Sequence, residues 1–245
     1  MVALTALTVL LVATVFAALG QGGALLYTPM LHWFGYDLKS VVVPLALLMA
    51  GLTTLLALVP FGRKGLVDWV GGLPMVAAAV ASAPLGALVA HHVPARVLLY
   101  LLGVAVALAA ARMLLCATRP DPEGPVPLTR RIALGGGAGA FVGFASGMLG
   151  IGGGFMVAPV LMWLGYETKR AAATTAYVVT FSSFSGFAGH AARMTVEWPL
   201  LVSVLPAVVA GSLAGSWFMA CRARPAAVKW LYSFLLLGVA AKLLA

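Results

Sequence analysis

Apolar residues run along this chain in long blocks, and the gaps between blocks are short and hold the basic residues. The blocks fall into two series of five. The first series covers about residues 2–19, 24–34, 38–59, 66–90 and 94–117, and the second about 131–149, 153–164, 168–189, 198–220 and 225–244. Most blocks reach the roughly 20 residues that cross a bilayer as a helix. The second block of each series does not, because about 11 residues at 1.5 Å rise cover roughly half of a 30 Å hydrocarbon core. The spacing therefore predicts that the first block enters, the chain breaks, and the short block returns to the side it came from. Non-helical backbone at that depth is tolerated only where it is buried in protein or lines a cavity.

The break itself occurs twice. Gly150-Ile-Gly-Gly-Gly154 opens the short block of the second series, and 130 positions earlier the chain reads Gly20-Gln-Gly-Gly-Ala24. Pro29, Leu31, Trp33, Gly35, Tyr36 and Lys39 match Pro159, Leu161, Trp163, Gly165, Tyr166 and Lys169 at the same offset, and Asp37 stands opposite Glu167. The chain reads as a duplication: a first repeat over 1–117, a cytoplasmic linker over 118–130 and a second repeat over 131–245. The linker begins Thr118-Arg-Pro-Asp-Pro-Glu-Gly-Pro-Val-Pro127, polar and rich in proline. Residues 1–20 are apolar enough for a signal peptide. They lack a positive start and align with 131–150, so they are read as a retained helix.

Composition places these helices in a membrane. The chain is 63% hydrophobic and 9% charged, with a mean hydropathy of +1.08, whereas a soluble domain carries about 25% charged residues. A net charge of +9 raises nucleic acid as a partner, but the placement of the basic residues in short gaps fits topology instead. If the first two blocks of each series return to their starting side, the second repeat is inverted. One face then collects Arg63, Lys64, Arg112, Arg119, Arg130, Arg131, Lys169, Arg170, Arg222, Arg224 and Lys229, and the other keeps Lys39, Arg96, Arg193 and Lys242, which accounts for all 15 Lys and Arg. A continuous span through each break would spread the same residues almost evenly. The positive-inside rule favours the inverted arrangement, with both termini outside the cytoplasm and the protein in the inner (plasma) membrane. The expected fold is an all-α polytopic membrane protein of about eight long helices and two short ones.

The repeated Gly-x-Gly-Gly run, followed by Pro and Gly-Tyr in such a chain, resembles the TauE/SafE family of sulfite exporter and anion permease-like membrane proteins. The resemblance covers essentially the whole chain and is best from Gly143 to Arg170. The first half departs from it, with Gln21 and Ala24 in place of Ile151 and Gly154 and with Pro44 opposite Thr174. The resemblance implies a secondary transporter for sulfite, a sulfonate or a related organosulfur anion, without naming the cargo.

The residues support a site near the bilayer midplane on their own terms. Two inverted halves with interrupted helices point to such a site. The start of each short helix would carry about half a positive charge and offer N–H groups that lack an intrahelical partner, a recipe for binding a small oxyanion. The candidate substrate-binding residues are Gly20, Gln21, Gly22 and Gly23 with Gly150, Gly152, Gly153 and Gly154. Thr174, Thr175 and Tyr177, from the hydroxyl-rich third block of the second series, join them. Ser182, Ser183 and Ser185 are assigned to helix packing, as are the small-xxx-small pairs Gly143/Gly147 and Gly211/Gly215. Pro29 and Pro159 would shape the short helices, and Trp33 and Trp163 would anchor them at the interface. His32, His91, His92 and His190 read as interfacial residues. Asp37 and Glu167 read as local ion pairs or caps.

No catalytic residue, metal ligand or cofactor motif is assigned. Cys116 and Cys221 lack metal or redox spacing, and no ATP-binding glycine motif is present. The partners expected are a small anion and the bilayer, and a homodimer is compatible with the sequence. Two alternatives stand beside a carrier. An anion channel could use the same architecture. An intramembrane hydrolase would rest on Ser146-Gly147, which resembles the Ser-Gly of rhomboid-type proteases, but Phe144 occupies a position where that motif requires Gly.

Overall fold

The computed structural model of the chain describes residues 2–117 and 128–221, with Phe234 and Gly238 beyond them. Among the described residues every regular element is helical: α1 (Val2–Ala18), α2 (Ala24–Trp33), α3 (Val43–Arg63), α4 (Trp69–His92), α5 (Ala95–Ala117), α6 (Leu128–Leu149), α7 (Gly154–Trp163), α8 (Thr168–Ala191) and α9 (Trp198–Cys221). The short blocks form α2 and α7, of 10 residues each, or about 15 Å. Four stretches are long and apolar enough to cross a membrane: Leu38–Arg63, Trp69–His92, Ile132–Leu149 and Trp198–Met219. The block expected over 225–244 and residues 118–127 of the linker lie outside the described residues. Residues 128–130, assigned to the linker from sequence, belong to α6.

A π-helical turn, Leu38–Val42, leads into α3, and Pro44 helps to explain it. Proline has no N–H to give to the carbonyl four residues back, which frees the Ser40 oxygen. That oxygen accepts from Thr195 N at 2.9 Å, joining the head of α3 to the end of α8. Asp37 caps the turn, accepting from Lys39 N at 3.1 Å, Ser40 N at 2.8 Å and Ser40 Oγ at 2.7 Å. The Lys39 ammonium reaches across to donate to the His91 carbonyl at 3.1 Å. Glu167 makes no side-chain cap.

The bundle is held by two glycine ladders. A methyl at Gly139 would stand against Met75, one at Gly143 against Ala79 and one at Gly147 against the Ala83 carbonyl. The partners advance by four residues on both helices, so α4 and α6 run parallel with their backbones in contact. Gly211 meets Leu10 and Gly215 meets Thr14 in the same way, which makes α1 and α9 a second parallel pair. The packing role assigned to both small-residue pairs is what the structure shows. Between the ladders, α3 and α8 cross with opposite senses: Leu47 meets Gly186, Gly51 meets Phe184, and the Thr54 and Thr180 hydroxyls lie 2.9 Å apart. Ser185 packs across to α4, donating to the Val80 carbonyl at 2.7 Å.

Two outcomes test this packing. Gly147→Ala must push the α4 backbone away, so it is expected to lower stability by about 1–3 kcal/mol in thermal unfolding of the detergent-purified protein. Gly136→Ala, where a methyl meets nothing within 4 Å, is expected to raise it by roughly 0.5–1 kcal/mol. Asp37→Ala removes the cap and is expected to cost about 1 kcal/mol. Hydrogen bonds from Ser40, first the backbone and then the hydroxyl, hold the Asp37 carboxyl below the usual carboxylate range. A lowered folded-state pKa contributes stability that is present above the unfolded value of about 3.9 and is lost as pH falls through the folded value. The gap between wild type and Asp37→Ala should therefore close on acidification below about pH 4.

Candidate functional site

The break after α1 closes with two backbone bonds, Gly20 N to Ala17 O at 3.1 Å and Gln21 N to Phe16 O at 3.0 Å. This pattern requires a left-handed residue at the helix end. Gly20, Gly22 and Gly23 take φ of 68°, 77° and 74°, and Gly150, Gly152 and Gly153 take 68°, 69° and 69°. Side chains resist that backbone, so glycine here is dictated by the turn as well as by space. Gly23 and Gly153 then stand at the N-caps of α2 and α7, and neither helix has a side-chain cap. The first N–H groups of both helices are left to the site.

The two breaks meet. A methyl at Gly154 would lie 2.6 Å from the Gln21 Cα, and one at Gly152 would lie 3.2 Å from the Ala50 Cβ and 3.5 Å from the Ala24 Cβ. Gly22 packs on Ala50 from the other side at 3.0 Å by the same measure. Ala50 is the midpoint of the Leu38–Arg63 stretch. Thr28 donates to the Gly150 carbonyl at 2.8 Å and ties α2 to the opposite break. The starts of two helices thus converge at mid-height on the longest apolar stretch. Their partial positive charges add, and the buried polar side chains among the described residues are Ser, Thr, Gln21 and His190, with no Lys or Arg.

Three buried polar groups line this junction without a protein partner: Gln21 Oε1, Ser146 Oγ and Ser183 Oγ. Ser183 Oγ lies 3.1 Å from the methyl position at Gly152, and the Ser146 Cβ lies 3.3 Å from that at Gly153. Buried polar atoms are paired in native proteins by a large majority, and these three are exceptions to that rule.

Of the eight residues assigned to the two breaks from sequence, Gln21, Gly22, Gly152 and Gly154 meet here and Thr28 reaches the Gly150 carbonyl, whereas Gly20 packs on Ala172, Gly23 on Tyr27 and Gly153 on Val142 and Ser146. Thr174 and Tyr177 stand apart: Thr174 Oγ1 accepts from Asp68 N at 3.1 Å, and the Tyr177 ring packs edge-on against Trp69 at 4.9 Å. Both support the start of α4, where Asp68 also accepts from Tyr166 at 2.8 Å and from Gly71 N at 2.8 Å. Thr175 is fully buried, and its hydroxyl has no protein partner. Apart from the spacing that puts Ser146 one turn before Gly150, sequence reasoning gave no sign that the Ser146 and Ser183 hydroxyls would be buried beside the breaks without a protein partner. His190, near the end of α8, is covered by protein at 2% exposed, and its Nε2 donates to the Gly147 carbonyl at 2.8 Å. A cavity of about 460 Å³ between α5, α6 and α7 is lined by Leu101, Phe141, Phe144, Met148, Phe155 and Met156 among others and offers nothing to an anion.

The chain matches the sulfite exporter TauE/SafE family over residues 5–243. It is similar to a probable membrane transporter protein of Sinorhizobium fredii, 30% identical over 222 residues that cover 86% of this chain and 85% of the relative. A probable membrane transporter protein of Bacillus subtilis is 25% identical over 235 residues, covering 85% of this chain and 82% of the relative. No solved structure matches it.

The unpartnered hydroxyl and the paired ones should respond differently to removal. Ser183→Ala is expected to leave thermal stability unchanged or to raise it by up to about 1 kcal/mol, because no protein hydrogen bond is lost. Thr54→Val, which breaks the bonds to the Ala50 carbonyl and to Thr180, both at 2.9 Å, is expected to cost about 1 kcal/mol.

Proposed function

Since the chain belongs to the sulfite exporter TauE/SafE family, we propose that it is a secondary carrier for a small sulfur-containing anion, sulfite, a sulfonate or a related organosulfur anion. The anion binds where the starts of α2 and α7 converge. One observation carries this reading: two uncapped helix N-termini face one junction together with the unpartnered polar groups of Gln21, Ser146 and Ser183. Sulfonyl oxygens accept from the free N–H groups and from the hydroxyls, and the Gln21 amide completes the shell once turned so that its NH2, not the acceptor Oε1, faces the anion. Affinity drawn from dipoles and hydroxyls, without a fixed cation, permits release on the far side.

The site lies between two inverted repeats near the middle of the inner (plasma) membrane, with both termini outside the cytoplasm. The opposite senses of α3 and α8 support the inversion, since a continuous span through each break would make them parallel. The exchange of partners between halves, α4 with α6 and α1 with α9, supports a carrier whose halves move against each other. An intramembrane hydrolase is disfavoured, because the His190 imidazole donates to the Gly147 carbonyl while Ser146 Oγ has no partner to activate it.

The test is thermal shift of the purified protein with sulfite, sulfate, thiosulfate, taurine and sulfoacetate. At a hundredfold excess over its dissociation constant, a cognate anion is expected to add about 2.7 kcal/mol of stability. Gln21→Leu, close in shape and unable to hydrogen-bond, should remove the shift while staying folded. A shift that survives in Gln21→Leu would move the site away from the break, and no shift with any of the five would end the sulfur-anion assignment. Saturable exchange of labelled anion in proteoliposomes would distinguish the carrier from a channel.

A further inference from the structure

Among the described residues, His190 is the one buried histidine, the residue type whose free side chain titrates near neutral pH. Its Nε2 lies 2.8 Å from the Gly147 carbonyl oxygen, and a carbonyl only accepts, so the hydrogen is on Nε2 and the lone pair is on Nδ1. Nδ1 is buried and has no partner. The imidazole therefore keeps its proton-accepting atom free inside the protein, while its other nitrogen is fixed to the last turn of α6, three residues before Gly150. Ser183, Gly186 and His190 follow one face of α8 at helical spacing, and Gly186 packs on the Gly147 Cα at 3.5 Å. That face leads from the anion junction to His190 without leaving the interior.

The charged and titratable groups facing this end decide what a proton there would meet. From α4, the half-buried His91 ring lies 5.2 Å from His190 and edge-on to it, and His92 is exposed beyond it. The head of α3 contributes Lys39, and the turn after α8 contributes Arg193, both acting electrostatically on His91. Asp37, the carboxylate next to Lys39, is occupied as the cap of the π-turn. Beyond Arg130 and Arg131 at the opposite end of α6, α6 and α7 carry no titratable residue. An added proton would thus have cations beyond His91, and its favourable partners would be the last carbonyls of α6 and an anion held about two turns away along α8, at the level of Ser183.

The geometry points to His190 as the proton carrier of this transporter: Nδ1 takes up a proton from water by way of His91 when an anion occupies the break, and the two are transported together. Resting on the anion reading of the junction, this adds the coupling ion. The proton leaves Nδ1 for water once the anion has gone, and Nε2 holds its hydrogen throughout. Linkage requires that each ligand tighten the binding of the other by the same factor.

The experiment uses purified full-length protein in proteoliposomes with labelled sulfate, thiosulfate and sulfoacetate, anions that stay fully ionised between about pH 6 and 8. For whichever of them exchanges at equal pH, an imposed gradient of one unit should drive accumulation toward the alkaline side. His190→Gln keeps a donor for the Gly147 carbonyl and cannot titrate. It is expected to retain exchange at equal pH and to lose gradient-driven accumulation by about fivefold or more. A merely structural role would lower both together. Exchange in the wild type without a response to the gradient, or accumulation in His190→Gln equal to that of the wild type, would overturn the proton assignment alone. Absence of exchange for all three anions would remove the anion reading and this inference with it.

Discussion

A helix that stops inside hydrocarbon leaves N–H and C=O groups that no lipid can satisfy, and most of this structure follows from that constraint. The chain stops twice, at Gly20 and at Gly150. Each stop has to be covered by protein, and the cover is the other half of the molecule. Gly154 lies on Gln21, Thr28 reaches the Gly150 carbonyl, and both breaks press on Ala50. Bringing two positive helix ends together is unfavourable in itself. The arrangement makes physical sense when something negative sits between them.

Glycine serves two separate purposes, and the structure tells them apart. In α6 and α9 it removes side chains so that whole helices can touch along ladders, and a methyl there would strike a neighbouring backbone. At the breaks it supplies a left-handed backbone and leaves the first turns of α2 and α7 uncapped. The ladders fix how the halves sit against each other, and the breaks define the space that this leaves. Hydroxyls divide in the same way: Thr54, Thr180 and Ser185 are committed to neighbouring helices, whereas Ser146 and Ser183 have no protein partner.

Features encoded locally were legible in the sequence. The offset between Gly20 and Gly150 pointed to a duplication, and the ten-residue α2 and α7 matched the length argument. Features that depend on which helix lies beside which were not. Thr174 and Tyr177 were assigned to the anion site, but the neighbour they serve is the start of α4, about a hundred positions away in the chain. Ser183 resembles Ser182 and Ser185 in sequence and differs only in facing Gly152. His190 lies one residue from the end of α8 and so looked like a surface group. It is covered because the ends of α4 and α6 close over it.

The pairing of α1 with α9 also has a consequence for synthesis. Leu10 and Thr14 in α1 wait for Gly211 and Gly215, roughly 200 residues later, and at about 5–20 residues per second that is on the order of ten to forty seconds. Through that interval α1 lies in the bilayer without its principal neighbour, and the first break lacks the cover that α7 provides. The molecule cannot be completed from its beginning onward: its earliest helix is among the last to be locked, and the insertion machinery or the lipid has to hold an unfinished half until the second arrives.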